Sequence, residues 1–287
     1  MDIQIITDSS SDIIGSGRQD LTVLPMKITF DDEEYLDGVS LTHKEFYEKL
    51  IESDSLPVTS QIPPYEFETA IKKALETVDY AIIITLSGKL SGTWQSACIA
   101  AREFEGRVFV VDSENATVGE RVLVEYALRL KDSGMDAAAI VSALEKEKKN
   151  VRLIALLDTL EYLKKGGRIS KTAALAGSVL STKPVVGVVD GEVVMLGKAR
   201  GSKQGNNLLA QHIRESGGID FQKPYFLGYT GLSDSLLQKY ITDSEALWKE
   251  HAESLPVTTV GGTIGTHVGP GGIAVAYFAP SSENGSV

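Results

Sequence analysis

The sequence predicts an α/β protein of two domains, and three observations carry that prediction. Apolar runs of strand length alternate with helical patterns through the first half, which is typical of a parallel sheet covered by helices. In the second half, Asp190-Gly191 joins two apolar runs and indicates a β-hairpin, hence a mixed or antiparallel sheet. The length of 287 residues also favours two domains over one. We therefore expect a Rossmann-like α/β domain at 1–151, an α+β domain at 152–280 and a tail at 281–287.

The first half opens with a βα unit, because the apolar run Ile3–Thr7 ends in a polar segment at 8–12. Thr42 is followed three residues later by Glu45, which is the spacing of a capping box at a helix start. Prolines on both sides of Thr59 and Ser60 predict a loop without regular structure. The apolar patterns predict strands at 22–30, 80–85 and 107–111, and helices at 65–78, 119–133 and 136–149.

The loop after the strand at 80–85, with the sequence LSGKLSGT, is the centre of the functional prediction. Ser91 or Thr93 is expected to cap a helix whose apolar face carries Trp94, Ala97, Cys98, Ala101 and Phe104. A helix start offers unpaired N–H groups and a partial positive charge, so the loop suits a carboxylate or a phosphate. An ordinary Ser/Gly turn with a capping residue explains the same pattern, and both interpretations stay open.

Three strands of the predicted parallel sheet end in short polar loops, TDSS, LSGKLSGT and VDSEN. Ligands of open α/β sheets bind beyond the carboxyl ends of the strands. We therefore expect the three loops to lie together at one edge of the sheet. Asp8, Ser9, Asp112 and Ser113 lie on these loops and are expected to shape the junction between the domains, and they do not have the spacing of metal ligands.

The second half is predicted from the same patterns. Asp158 or Thr159 is expected to cap a short helix that ends at 164–168. Residues 261–272 are rich in glycine, and we expect them to form a loop between two strands that contains His267. The other predicted elements are strands at 152–157, 183–189, 192–198, 224–230, 257–260 and 273–278, and helices at 170–180, 202–216 and 233–250.

Charge and composition narrow the range of partners and compartments. A net charge of −11 argues against general binding to nucleic acid or to an anionic membrane. The N-terminus is acidic and strand-like, unlike a signal peptide, and no apolar run approaches the ~18 residues of a transmembrane helix. A single cysteine, Cys98, allows no disulfide within the chain, which fits a reducing compartment. We expect a cytoplasmic protein without a membrane span, and we leave transient membrane contact open.

Six motifs, in order along the chain, resemble those of the DegV family. They are TDSSSD at 7–12, VTSQ at 58–61, LSGTWQSA at 90–97, VVDSENAT at 110–117, LEYLKKGGRIS at 160–170 and GTHVGPGG at 265–272. This family includes the fatty-acid-binding (FakB-type) subunits of bacterial fatty acid kinase. The resemblance implies a DegV/DAK-like fold of two α/β domains that enclose a long-chain fatty acid. It also implies a separate kinase subunit that converts the carboxylate to an acyl-phosphate for phospholipid synthesis, with no metal or cofactor on this chain.

The resemblance implies a carboxylate site at the domain junction. Ser91 matches the family's carboxylate-binding serine, Thr59 its threonine partner and His267 its head-group histidine. A neutral His267 can donate to a carboxylate or to Ser91, and a protonated one adds charge attraction; the sequence leaves both open. The residues alone also allow a Thr59 hydroxyl bonded to its own backbone and a structural His267. The neighbours that we place in the same site are Ser60, Gly92 and Thr93.

Arg168 and Arg200 match arginines that the family places near the exit of the bound carboxylate, where they serve kinase docking or phosphoryl transfer. On an acidic chain, these arginines and their neighbouring lysines predict a basic patch for an acidic partner or for ATP phosphates. Lysines near helix C-termini also offset the helix dipole, which is the alternative explanation. The lysines concerned are Lys164, Lys165, Lys171, Lys198 and Lys203.

The sequence lacks a Walker A loop, a dinucleotide fingerprint, a CxxC pair and an HExxH motif. Because it has no ATP-binding motif of its own, we predict a lipid-binding subunit of a kinase system with no catalytic residue of its own. The alternative is an enzyme, either a small-substrate kinase component or a hydrolase that uses Ser91 with His267. A hydrolase is disfavoured because LSGTW lacks the second glycine of a nucleophile elbow.

Overall fold

In the computed structural model, which describes residues 2–169, 182–252 and 254–280, helices connect three sheets. The strands are β1 (Ile3–Asp8), β2 (Leu21–Leu24), β3 (Lys27–Phe30), β4 (Glu33–Leu36), β5 (Val58–Ser60), β6 (Tyr80–Thr85), β7 (Val108–Asp112), β8 (Val151–Leu156), β9 (Lys183–Val189), β10 (Glu192–Ala199), β11 (Phe226–Tyr229), β12 (Val257–Thr259) and β13 (Ile273–Phe278). The helices are α1 (His43–Glu52), α2 (Pro64–Leu75), α3 (Thr93–Ala101), α4 (Val118–Asp132), α5 (Ala137–Glu147), α6 (Glu161–Lys165), α7 (Ser202–Glu215), α8 (Ser235–Asp243) and α9 (Gly262–Val268). The predicted helix at 170–180 and the predicted tail at 281–287 lie outside the described residues.

The first sheet is parallel, with the strand order β2-β1-β6-β7, as predicted for the first half. Helices cover both of its faces, which explains the continuous apolar run of β6. Ile82 and Ile84 pack in the cluster formed with α4 and α5, whereas Ile83 packs with α2 and α3. The capping box of Thr42 and Glu45 at the start of α1 is also confirmed.

The loops after β1, β6 and β7 lie together at one edge of the first sheet, as expected. The Asp8 carboxylate accepts a hydrogen bond of 3.0 Å from the N–H of Leu86. The Asp112 carboxylate accepts one of 3.1 Å from the N–H of Gly88. The polar ends of neighbouring strands therefore fix the loop that leads to Ser91.

The second sheet is mixed, with the strand order β10-β9-β8-β13-β11-β12. Its neighbouring strands are antiparallel except β11 and β12, which are parallel. The predicted hairpin joins β9 and β10, and Asp190 and Gly191 have positive φ angles of 48° and 82°. Two such residues in succession are what a type I′ turn requires. The α/β fold class with a parallel and a mixed sheet is therefore confirmed.

The third sheet, antiparallel in the order β4-β3-β5, corrects two expectations. The single strand expected at 22–30 is wrong, because Pro25 lies between β2 of the first sheet and β3 of the third. The irregular loop expected around Thr59 is also wrong. Pro57 and Pro63 lie outside the three residues of β5, so they remove no hydrogen bond from its pairing with β3.

The glycine-rich segment expected as a loop forms the helix α9 instead, and its glycines explain why. A Cβ at Gly262 would lie 2.7 Å from the Phe46 ring, and one at Gly265 would lie 2.6 Å from it. The absence of side chains lets α9 pack directly on α1 and β3. His267 consequently lies in the last turn of a helix, where its direction is fixed by the helix axis.

Two other helices differ from the prediction. α8 ends at Asp243, where the N–H and the hydroxyl of Ser244 both donate to the Tyr240 carbonyl (2.9 and 2.6 Å), and a 3₁₀ turn follows. The face that α3 buries carries Thr93, Ser96, Ala97 and Ala100, whereas Trp94 and Cys98 are half-buried. The buried face is rotated because the small residues of α3 pack against α2 and the first sheet.

The largest hydrophobic cluster joins the first and second sheets through α4. It contains Ile5 and Ile82 of the first sheet, Val122 of α4, and Leu153 and Ala276 of the second sheet. The two sheets therefore share a core, and the domain boundary at residue 151 stays a prediction. None of the helices in the described ranges is long and apolar enough to cross a membrane.

Candidate functional site

A cavity lies between the strand-end loops of the first sheet, the β9–β10 hairpin and α9, and its empty space, open solvent included, is about 970 Å³. Small-molecule sites are lined mainly by apolar side chains, with a few polar groups that fix the orientation of the ligand. The wall is largely apolar and includes side chains from all three regions and from the segment after β8, among them Met26, Leu86, Leu157, Val186, Val188 and Ile264. Such a cavity suits a ligand with a long apolar part.

Four predicted site residues, Thr59, Ser91, Arg168 and His267, line this cavity. They come from four separate segments: β5, the loop before α3, the segment after α6, and the last turn of α9. The structure therefore brings together hydroxyl, guanidinium and imidazole groups beside an apolar space.

Thr59 and His267 are in direct contact. The Thr59 hydroxyl oxygen lies 2.8 Å from Nε2 of His267. Side chains alternate along β5, so the two neighbours of Thr59, Val58 and Ser60, are exposed while Thr59 is half-buried. The pairing of β5 with β3, in which Thr59 lies opposite Ile28, fixes the position of this hydroxyl.

The surroundings of the other ring nitrogen of His267, Nδ1, indicate which nitrogen carries the proton. Nδ1 is buried without a hydrogen-bond partner in the described part of the chain, and it faces Gly166, where a Cβ would clash with it. Burial, together with the charge of Arg168, lowers the pKa of His267 to about 4, so the ring is neutral at pH 7. A buried N–H without an acceptor is costly, which favours the proton on Nε2. Nε2 then donates to Thr59, and the Thr59 hydroxyl can donate into the cavity.

Ser91 lies in the loop that leads into α3. Its hydroxyl oxygen lies 2.9 Å from that of Thr93 and accepts the Thr93 N–H at 3.3 Å. The expectation that Ser91 or Thr93 is the N-cap is wrong, because Gly92 takes that position without a side-chain bond. A side chain at Gly92 would clash with Gln61, so glycine is needed for this close approach.

Arg168 connects the second half of the chain to the Ser91 loop. Its Nε donates to the carbonyl of Leu90 (3.2 Å), and its Nη1 donates to the carbonyl of Gly166 (2.6 Å). The first bond fixes the backbone next to Ser91, and the second fixes the segment that faces His267. The guanidinium therefore places a positive charge beside the two hydroxyls, which favours a bound anion.

The other predicted site residues do not line the cavity. Ser60 is exposed on the opposite side of β5, and Thr93 is buried at the start of α3. Arg200 is exposed beyond β10, so the structure does not bring it into the cavity with Arg168. Lys171 lies outside the described residues.

A second cavity, whose empty space with open solvent included is about 930 Å³, meets the first at Thr59, Arg168 and His267. Lys165 also lines it, and its lining contains no acidic residue within the described ranges. An anion can therefore approach the polar side chains from this side without meeting a carboxylate.

The sequence analysis did not single out Gln61, although it also lines the main cavity. Gln61 lies two residues after Thr59, on the same side of an extended segment, and donates to the Ser96 hydroxyl at 3.2 Å. Prediction of β5 as a strand would have revealed this position. Thr263 of α9 lines the cavity as well, and no sequence signal pointed to it.

Buried carboxylates near the strand ends form hydrogen bonds that hold the loops in place. The Ser10 hydroxyl lies within hydrogen-bond distance of both Asp8 and Glu120, and the Asp12 carboxylate accepts the N–H of Gly261 at 2.7 Å. Burial raises the pKa of Asp8, Asp12 and Glu120. Within the described ranges, no group of three or more His, Cys, Asp or Glu side chains is arranged to hold a metal ion.

Comparison with known proteins identifies similar sequences and folds. The sequence model of a family described as "Uncharacterised protein, DegV family" matches residues 2–280. A DegV domain-containing protein of Caldanaerobacter subterraneus subsp. tengcongensis is 34% identical over 284 residues, which cover 96% of this chain and 98% of that protein.

Two solved structures extend the similarity to the fold. A DegV family protein from Thermus thermophilus, described as binding fatty acid, has a TM-score of 0.88 and 32% identity, with 98% of this chain and 100% of that chain covered. DegV from Bacillus subtilis, described as a fatty acid binding protein, has a TM-score of 0.82 and 26% identity, with the same shares covered.

Proposed function

Because this chain belongs to the DegV family, we propose that it binds a long-chain fatty acid. The carboxylate would lie at Thr59, Ser91 and His267, and the acyl chain would occupy the apolar cavity. The observation that carries this proposal is the grouping of these three residues with Arg168 in an otherwise largely apolar cavity. Fatty acid binding by the related proteins from Thermus thermophilus and Bacillus subtilis supports it.

The two parts of the cavity would contribute differently to binding. Transfer of each CH₂ group from water to an apolar site contributes about 0.8 kcal/mol, so the acyl chain supplies most of the gross affinity. A carboxylate loses hydration on burial and needs donors in return. The hydroxyls of Thr59 and Ser91 would donate to it, and each such bond to a charged group contributes about 1.5–3 kcal/mol. The polar group would therefore set the orientation of the ligand.

We further propose that the bound acid is presented to a fatty acid kinase subunit, which forms an acyl-phosphate for phospholipid synthesis. The second cavity supports this proposal, because it is open beside Thr59 and His267 and carries Lys165 and Arg168. The exposure of Arg200 is consistent with a role in docking. The protein would act in the cytoplasm, with at most transient membrane contact. Its two domains would be divided near residue 151.

The alternative of a hydrolase or a small-substrate kinase component at the same Ser/His site has less support. Nε2 of His267 bonds to Thr59 rather than to Ser91, and Nδ1 has no carboxylate partner among the described residues. A catalytic triad needs a histidine that contacts the nucleophile and is oriented by a carboxylate.

The proposal can be tested on the purified full-length chain. Native mass spectrometry and lipid extraction should reveal a co-purified long-chain acid, and the delipidated protein should bind oleate in a titration. Addition of a fatty acid kinase subunit from the same bacterium with ATP should yield acyl-phosphate, which hydroxylamine traps as a hydroxamate. A protein that binds no oleate but hydrolyses ATP or esters by itself would contradict the proposal.

A further inference from the structure

The carboxylate of Asp37 lies at the N-terminus of α9, although 225 positions separate it from Gly262. Oδ1 accepts the N–H of Gly262 at 3.0 Å, and Oδ2 accepts the N–H of Thr263 at 3.1 Å and its hydroxyl at 2.6 Å. Asp37 is only 2% exposed, so water cannot replace these bonds. A helix start has N–H groups without intrahelical partners, and a carboxylate there also meets the positive end of the helix dipole.

Both ends of α9 are attached to the third sheet. Asp37 directly follows β4 and holds the N-terminus, while Thr59 of β5 contacts His267 in the last turn. The seven residues of α9 span about 10 Å, and β4 and β5, on either side of β3, lie about 10 Å apart. The helix therefore bridges the sheet from one edge to the other, with His267 at the end opposite Asp37.

Neighbouring bonds hold Asp37 itself in place. Its N–H donates to the carbonyl of Met26 at 2.9 Å, and its Oδ2 accepts the Ser9 hydroxyl at 3.1 Å. Ser9 in turn accepts the N–H of Met26 at 3.0 Å. Met26 and Thr263 both line the main cavity, so the bonds of Asp37 reach two parts of its wall.

We propose that Asp37 is a positioning residue for the carboxylate site. It holds α9 on the third sheet and so keeps His267 in contact with Thr59, which leaves the Thr59 hydroxyl available to a ligand. This inference rests on the proposed function for its effect on affinity, but its effect on His267 is independent of any ligand. Because Asp37 does not line the main cavity, it would act only through α9.

The test uses Asp37→Asn in the delipidated full-length protein. An asparagine keeps the size of the side chain but presents an NH₂ group to donors that need an acceptor. We expect the affinity for oleate to fall about fivefold, because a displaced His267 weakens the bond from the Thr59 hydroxyl to the carboxylate, whereas loss of that bond would cost roughly ten- to a hundredfold. In protein without lipid, the ¹⁵N signals of the His267 ring should also shift, because its contact with Thr59 changes.

Asp136→Asn is the matched control, since Asp136 caps α5 through the N–H of Ala139 at 2.9 Å and does not line the main cavity. It should leave both the oleate affinity and the His267 signals at parental values. Leu144→Ala, on the buried face of α5, shows the effect of lost stability alone. If Asp37→Asn does not fold, Ser9→Ala removes one bond to Asp37 and should produce smaller shifts in the same direction.

The inference is overturned if the folded Asp37 variant, or Ser9→Ala in its place, retains the parental His267 signals. It is also overturned if the affinity falls without any change in those signals, because Asp37 would then act by another route. If the parent protein binds no oleate, the proposed function fails, and the His267 signals of the lipid-free proteins still decide the role of Asp37.

Discussion

The hydroxyl of Ser87 donates a hydrogen bond of 2.8 Å to the backbone carbonyl of Gly191 in the turn between β9 and β10. The same oxygen accepts the N–H of Lys89 at 3.2 Å, and the Ser87 carbonyl accepts the N–H groups of Leu90 and Ser91. Ser87 thus holds both the loop that carries Ser91 and the hairpin that forms one wall of the main cavity.

Replacement of Ser87 by alanine should therefore affect ligand binding although Ser87 does not line the cavity. Loss of its bond to Gly191 frees the hairpin turn and loosens the Ser91 loop, at a cost of about 1 kcal/mol in the free energy of unfolding. We expect oleate to dissociate faster, which stopped-flow displacement measures. Ser244→Ala removes a buried hydroxyl that does not line the cavity, and it serves as the control. Equal dissociation rates in Ser87→Ala and the parent would contradict this prediction.

Thr59 and Ser60 are adjacent but face opposite sides of β5, so they should respond differently to substitution. Thr59→Val keeps the shape of the side chain and removes the hydroxyl that would donate to the carboxylate. The loss is about 1.5–3 kcal/mol, or roughly ten- to a hundredfold in oleate affinity. Ser60→Ala is the matched control and should bind oleate like the parent. Calorimetric titration measures the oleate affinity of both variants. A comparable loss of affinity in Ser60→Ala would place the carboxylate elsewhere.

The buried, neutral His267 should make stability depend on pH. Its pKa is lowered to about 4 by burial and by Arg168, against an ordinary value of 6.5. The unfolded chain therefore takes up the proton first as the pH falls. The contribution of neutral His267 to the free energy of unfolding is complete above pH 6.5. It is lost as the pH falls towards 4, and the loss is about 3 kcal/mol in all.

His267→Asn removes this proton uptake, so its free energy of unfolding should fall less than that of the parent between pH 7 and pH 4.5. Urea denaturation at the two pH values measures the difference, with His212→Asn in α7 as the control. Parallel pH dependences of the parent and the His267 variant would show that the folded protein does not disfavour the protonated ring.

The family resemblance assigns Arg168 and Arg200 to one role, but their replacement by alanine should have different effects. Arg168 lines the cavity and fixes the Leu90 carbonyl, so Arg168→Ala should lower oleate affinity several-fold and kinase-dependent turnover as well. Arg200 is exposed and outside the cavity, so Arg200→Ala should lower turnover only. Arg102→Ala, an exposed arginine after α3, should change neither. Loss of oleate affinity in Arg200→Ala would contradict this assignment.

Much of the fold was predictable because its signals are local. The strand at 80–85 and the Asp190-Gly191 hairpin follow from apolar runs and turn residues alone, and both are confirmed. The errors arose where tertiary contacts override local preference. Prolines predicted a loop at β5, and glycines predicted a loop at α9, yet pairing with β3 and packing on Phe46 stabilise regular structure at both places.

By itself, the sequence determined the α/β class, the strand-end loops at one sheet edge and the motifs that contain Thr59, Ser91, Arg168 and His267. Only the tertiary structure decided how these residues meet. Thr59 and His267 are 208 positions apart, and their contact requires the third sheet and α9 to pack against each other. Hydrogen bonds and packing between distant segments depend on the position of the whole backbone, and no local pattern encodes that position.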